Sequence, residues 1–150
     1  MTTLQTGERY LMHSDPAEIS QTIAAICAHQ DCRGGWPGHI SNSQDNGHER
    51  RQGRRLSAII PFYLRPLARE GETFVLTSPD SLIAVTRDLS SHGIGFQYDM
   101  RLDAPFILAE FDTLQAGPQK LIIEIRWRRR RTRHCYLAGG QVLGVVSETI

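Results

Sequence analysis

The sequence predicts an all-β domain built from short antiparallel strands. Runs rich in apolar and β-branched residues follow one another from residue 56 onward, and turn-forming residues separate them. Several runs alternate apolar with polar residues, which is the pattern of a strand with one buried face. No helical pattern lies between the runs, so a small antiparallel barrel or sandwich is favoured. The predicted strands cover residues 56–64, 73–77, 81–89, 93–98, 106–111, 121–128 and 135–146.

One helix is predicted ahead of the strands, at about residues 15–31. Asp15 suits the N-cap, and Pro16 suits the first helical position. Three isoleucines then recur at the spacing i, i+4 and i+7, which gives the helix one apolar stripe. They are Ile19, Ile23 and Ile26. A stretch rich in Gly, Ser and Asn follows, so we expect residues 1–47 to form a helix and a linker, and residues 48–150 to form the main domain.

Composition places the chain among globular proteins of the cytoplasm. Its 150 residues carry a net charge of only +1, which makes bulk attraction to nucleic acid weak. Three cysteines are an odd number and predict no disulfide framework, and their spacing to the histidines matches no standard zinc site. Glu8 and Arg9 stand where a signal peptide needs an apolar core, and no run is long enough to span a membrane. We therefore expect a cytoplasmic protein with no membrane insertion and no metal.

Arginine supplies nearly all of the positive charge, since Lys120 is the only lysine. The planar guanidinium fork matches phosphate oxygens and the guanine edge, which a lysine ammonium does not. The sequence therefore favours anionic partners at its arginine clusters, although a run of charge is also typical of a solvated surface. The first cluster contains Arg50, Arg51, Arg54 and Arg55, and the second contains Arg126, residues 128–131 and Arg133.

A possible binding corner lies between two predicted strands, at Asp88, Ser90 and Gly93. Asp and Ser side chains bond to nearby backbone in turns, and Gly adopts backbone angles that other residues avoid. Taken alone, these residues are explained more simply by a plain hairpin turn. If the first arginine cluster folds back to this corner, however, the combined site offers cationic forks and a carboxylate acceptor. Such a site is complementary to a guanine nucleotide with exposed phosphates.

The two motifs together resemble the PilZ domain family. Arg-x-x-x-Arg occurs at Arg51 and Arg55, and Asp-x-Ser-x-x-Gly follows at residues 88–93. Arg50 and Arg54 have the same spacing, but we prefer the other pair because Leu56 then starts the first strand directly after Arg55. Three further stretches agree with the family pattern across about residues 48–147. They are residues 93–96, Arg126-Trp127 and Gly139-Gly140.

The resemblance implies a six-stranded antiparallel PilZ-type β-barrel that binds cyclic di-GMP, with no other cofactor. It implies that Arg51 and Arg55 hold phosphates and the Hoogsteen edge of guanine, with Arg50 and Arg54 as helpers. It also implies that Asp88, Ser90 and Gly93 surround another part of the nucleotide. Members of the family usually reposition a neighbouring segment when the nucleotide binds. Here that segment is residues 33–50 with the attached helix, which would signal to a protein partner.

Three alternatives to a cyclic di-GMP receptor follow from the same sequence. The arginine clusters could bind RNA or single-stranded DNA, although such surfaces usually interleave aromatic residues, and Trp127 is the only aromatic within either cluster. A PilZ-like interaction module that binds no nucleotide is the second alternative. An enzyme is the third, and we do not expect one, because the sequence shows no nucleophile–base pairing, no metal spacing and no phosphate-cradling glycine loop.

Overall fold

The structure is a computed structural model that describes residues 8–32, 59–113 and 117–149. Within these ranges the chain forms eight strands and one helix, so the domain is mostly β. The elements are, in chain order, β1 (Arg9–His13), α1 (Pro16–Cys32), β2 (Pro61–Glu70), β3 (Thr73–Leu76), β4 (Leu82–Leu89), β5 (Gly93–Tyr98), β6 (Phe106–Thr113), β7 (Gly117–Thr132) and β8 (Cys135–Thr149).

All eight strands belong to one antiparallel sheet with the order β1-β3-β2-β4-β5-β8-β7-β6. Two additional pairings join β1 to β8 and β2 to β6. Strand β2 therefore has both β4 and β6 as neighbours, and the path from β4 through β5, β8, β7 and β6 returns to β2. This arrangement brings the β4–β5 turn beside the middle of β8.

The predicted antiparallel, mostly β character is confirmed, whereas the predicted number of six strands is wrong. The six-strand count implied by the resemblance omits β1 and the four-residue β3. The predicted run at residues 73–77 does correspond to β3, so β1 is the one described strand without a predicted counterpart. Residues 1–14 show no strand pattern, because β1 is short and mixes Arg9 and His13 with apolar residues. It forms through its pairing with β3 and β8, which are distant in the sequence.

The largest differences from the predicted strand boundaries are in β2 and β7. The first long strand, β2, begins at Pro61 and continues to Glu70, because its second half pairs with β3 and β6. The predicted strand residues 56–58 lie outside the described residues. Strand β7 continues to Thr132, because β8 pairs with it up to the turn. The predicted strand ends at residue 128, whereas residues 129–131 are part of the extended strand.

Helix α1 packs on the sheet through its isoleucine stripe. Asp15 accepts a hydrogen bond from the backbone N–H of Ala17 at 3.1 Å, which is the expected N-cap contact. Ile19, Ile23 and Ile26 are all buried and join the main core, which also contains Phe62, Phe96 and Phe111. Burying an isoleucine side chain contributes on the order of 1.5–3 kcal/mol, so the stripe holds the helix on the sheet. The predicted linker that follows the helix, through residue 47, lies outside the described residues.

Candidate functional site

The β4–β5 corner (residues 88–93) is held together by Ser90. The Ser90 backbone N–H donates to the Gly93 carbonyl at 2.9 Å. The Ser90 hydroxyl oxygen accepts from the N–H groups of His92 and Gly93, each at 3.2 Å. Ser90 itself is only 4% exposed. The serine of the motif therefore shapes the turn, and its role towards a ligand would be indirect.

Asp88 lies at the end of β4, where the carboxylate covers the neighbouring strand β5. In the β4–β5 pairing, Asp88 lies opposite Gly95, because the register shifts between Thr86 and Asp88. A Cβ atom added at Gly95 would lie 3.2 Å from Asp88 Oδ1, so the carboxylate occupies the space above this glycine. Because Gly95 has no side chain, the carboxylate of the partly buried Asp88 can sit close to the sheet.

Glycines on β5 and β8 leave a flat floor of peptide groups beside the corner. Gly93 pairs with Gln141, and Gly95 pairs with Gly139. Of the four residues in these two pairs, only Gln141 has a side chain. A Cβ atom at Gly93 would lie 3.0 Å from the Gly140 carbonyl oxygen, a contact tighter than most real Cβ atoms make. The floor therefore depends on glycine for close packing of the strands and of the side chains that lie over them.

The opposite wall of the site comes from β7, at a bulge that places Arg126 between Ile125 and Trp127. The Trp127 indole lies across Gly139, because a Cβ atom there would overlap the indole Nε1. The Trp127 residue remains 49% exposed. Arg126 donates to Gln141 Oε1 and forms an ion pair with Glu124 at 3.3 Å. The wall thus presents an aromatic ring and a cation beside the glycine floor.

These elements enclose a cleft of about 580 Å³. The backbone N–H of Val142 donates to the His92 carbonyl at 3.0 Å, which ties the corner to β8 at the rim of the cleft. The residues that line the cleft are Asp88, Ser90, His92, Gly93, Ile94, Gly95, Arg126, Trp127, Gly139, Gly140 and Gln141. A carboxylate acceptor on one side, a cation on the other and a flat floor suit a planar ligand that carries both N–H donors and negative charge.

The structure brings together all the predicted site residues that it describes. Asp88, Ser90 and Gly93 line the same cleft. The other four, Arg50, Arg51, Arg54 and Arg55, lie outside the described residues. Sequence reasoning did not include Arg126, Trp127 or Gln141 in the site, although Arg126-Trp127 and Gly139-Gly140 were noted as stretches of the motif pattern. The sequence signal that pointed to this wall was Gly139-Gly140. Adjacent glycines in a strand predict a bulge or a close backbone contact, but they do not predict which strand contacts them.

Comparisons with known proteins leave the family open. The chain matches no protein-family model, and a search of curated proteins finds no match. Among residues 8–32, 59–113 and 117–149, no group of three or more His, Cys, Asp or Glu side chains could hold a metal ion. In the same part of the chain, α1 lacks the length and apolar character needed to cross a membrane.

Proposed function

We propose that the protein is a PilZ-type receptor for cyclic di-GMP and that the cleft beside the β4–β5 corner is its nucleotide site. The observation that carries this proposal is the meeting of Asp88, Ser90 and Gly93 at one turn that opens onto a flat, glycine-lined floor. A plain hairpin would need neither the floor nor the aromatic and cationic wall on β7. The motif and the surrounding cleft together therefore favour a ligand site over a simple turn.

The strand arrangement supports the proposed family fold. Six strands, β2, β4, β5, β8, β7 and β6, pair in a closed cycle. A cycle of six antiparallel strands is the arrangement expected for the PilZ-type barrel. On this proposal β1 and β3 are additions, and they pair with each other and with β8 and β2 outside that cycle.

The chemistry of the cleft matches a guanine nucleotide. The Asp88 carboxylate is an acceptor for guanine N–H groups, and charge-assisted bonds of this kind are stronger than neutral ones. The guanine ring can lie on the glycine floor or against the Trp127 indole, since stacking on an aromatic face suits any base. Arg126 adds positive charge for a phosphate at the same rim.

The first arginine motif is close enough along the chain to reach this cleft. Ile60 exchanges two hydrogen bonds with Thr86: its N–H donates to the Thr86 hydroxyl at 2.9 Å, and its carbonyl accepts from the Thr86 N–H at 3.0 Å. Thr86 precedes Asp88 by two residues. Because an extended chain spans at most about 3.6 Å per residue, Arg55 lies within roughly 18 Å of Ile60. Arg51 and Arg55 are the residues that we propose hold phosphates and the guanine Hoogsteen edge, with Arg50 and Arg54 beside them.

Strand β8 offers a route from the cleft to the N-terminal segment. Its residues Gly139 to Gln141 line the cleft, and its far end pairs with β1, where His13 is opposite Val145. Helix α1 follows β1 directly. We propose that nucleotide binding shifts the N-terminal segment and so signals to a protein partner. A PilZ-like module that binds no nucleotide would keep the fold but would not respond to the ligand.

A thermal-shift screen of cyclic dinucleotides and GTP, run at two salt concentrations, tests the proposed function. A ligand at about 100 times its dissociation constant stabilises the folded state by about 2.7 kcal/mol, or roughly 5–10 °C for a domain of this size. Cyclic di-GMP should give a shift of this order at both salt concentrations, and GTP a smaller one. No shift with cyclic di-GMP, or an equal shift with every nucleotide, would reject the proposal.

A further inference from the structure

The Arg-rich edge (residues 128–133) is a second charged surface that the cleft does not explain. It contains five arginines and no acidic residue, and all five arginines are exposed. Two of them bond to backbone carbonyls, Arg128 to that of Ala104 and Arg130 to that of Thr132. Within the described part of the chain, none of the five forms an ion pair with a carboxylate. The positive charge is therefore available to an external anion.

The pairing of β7 shows what shape this surface has. Strand β6 pairs with β7 along residues 117–124, and the Ile125 N–H donates to the Pro105 carbonyl at 2.8 Å. The described strands therefore leave one side of β7 open beyond Ile125. Its other side is paired with β8, and β8 is in turn covered by β5 as far as Tyr136. The arginines therefore follow the extended edge of a sheet.

Trp127 distinguishes this edge from a simple run of charge. It stands directly before Arg128, and it is 49% exposed. The Arg129 guanidinium carbon lies 6.0 Å from the centroid of the Trp127 ring, which is a cation–π arrangement. An exposed aromatic ring next to a row of cations is the combination that binds bases and phosphates together. An acidic peptide would use the cations but would gain nothing specific from the indole.

We propose that the Arg-rich edge and Trp127 bind single-stranded nucleic acid. The guanidinium groups hold successive backbone phosphates, because the arginine fork matches phosphate geometry. A base next to these phosphates stacks on Trp127. Binding here depends on the edge itself and would hold whether or not the cleft accepts cyclic di-GMP.

Fluorescence anisotropy with a labelled single-stranded oligonucleotide of about 12 nucleotides tests this proposal, at two salt concentrations. The test variant combines Arg130→Ala with Arg131→Ala, the last two of the four consecutive arginines. The matched control combines Arg69→Ala with Lys120→Ala, which removes the same charge from β2 and from the opposite end of β7. We expect the test variant to bind at least about tenfold more weakly than the control. Its salt slope should fall by about 1.4, or about 0.7 for each lost phosphate contact.

Several outcomes would overturn the proposal. Equal binding by the two double variants would show that the edge is not the site. Tighter binding of a duplex of the same sequence, or of poly-glutamate, would assign the edge to a different class of partner. Cyclic di-GMP titrations of both variants, which we expect to match wild type, separate a failure of this proposal from a failure of the nucleotide site.

Discussion

The β4–β5 corner lines the cleft, whereas the Arg-rich edge continues β7 beyond the cleft wall at Trp127, and the two regions are built in opposite ways. At the corner, the side chain of the buried Ser90 bonds to the backbone of its own turn. At the edge, five arginines are exposed and have few contacts within the described residues. The corner should therefore be sensitive to small changes of shape. The edge should tolerate substitution and respond mainly to salt.

The largest expected effect separates the glycine floor beside the corner from the Arg-rich edge by stability. Gly140→Ala would place a Cβ atom against the Glu124 carbonyl oxygen and the Ile123 side chain, and neither backbone can move freely within the sheet. We expect a loss of about 3 kcal/mol in unfolding free energy, at the upper end for overpacking. Arg131→Ala at the edge should change it by less than about 0.5 kcal/mol. Urea unfolding measures both, and equal losses would remove the contrast.

The next effect concerns the ligand at the corner. Asp88→Asn keeps the size of the side chain but removes its charge, which should weaken cyclic di-GMP binding by roughly 10–100-fold. Asp80→Asn is the matched control, because Asp80 is exposed just before the start of β4, at the end opposite Asp88. Competition against a fluorescent cyclic di-GMP analogue gives both affinities. Similar affinities for the two variants would show that Asp88 is not part of the site.

Two adjacent serines sharpen the description of the corner itself. Ser90→Ala leaves the N–H groups of His92 and Gly93 without their side-chain acceptor, so we expect a loss of about 1–2 kcal/mol. Ser91 contacts only the exposed His92 ring in the described structure, at 3.3 Å, and Ser91→Ala should cost less than about 0.5 kcal/mol. Thermal unfolding compares the pair. A larger loss for Ser91→Ala would contradict the role assigned to Ser90.

The smallest expected effect links the base of the edge to the core. Burial raises the pKa of Tyr98 above the usual tyrosine value of 10.0, and the Arg128 guanidinium partly lowers it. Since the folded pKa is raised, the stability that the neutral phenol contributes is present below pH 10.0 and is lost as pH rises through the folded pKa. Arg128→Ala should raise the Tyr98 pKa further, whereas Arg130→Ala should not. NMR titration of ring-labelled tyrosine follows this, and a lower pKa in Arg128→Ala would contradict it.

Local patterns in the sequence predicted the elements that form locally. The cap at Asp15 and the three isoleucines of α1 gave the helix, and alternation gave most of the strands. The turn residues gave the position of the β4–β5 corner, because Asp, Ser and Gly act on their own neighbours there.

Contacts between distant segments could not be predicted in the same way. Strand β1 depends on pairing with β3 and β8, and nothing in its own five residues specifies those partners. The wall of the cleft depends on the bulge that sets Trp127 opposite Gly139. A shift of one residue in the β7–β8 register would turn the Trp127 indole to the other face of the sheet. That register is set by the pairing of the two strands in three dimensions and not by the local sequence.

Calorimetric titration with cyclic di-GMP, performed in parallel on the wild-type chain and on Arg55→Ala, tests the central claim most directly. If the arginine motif and the β4–β5 corner bind one nucleotide ligand, the wild type should show saturable binding, and Arg55→Ala should weaken it by roughly 10–100-fold. The absence of saturable heat with the wild type, or equal dissociation constants for the two chains, would contradict the account.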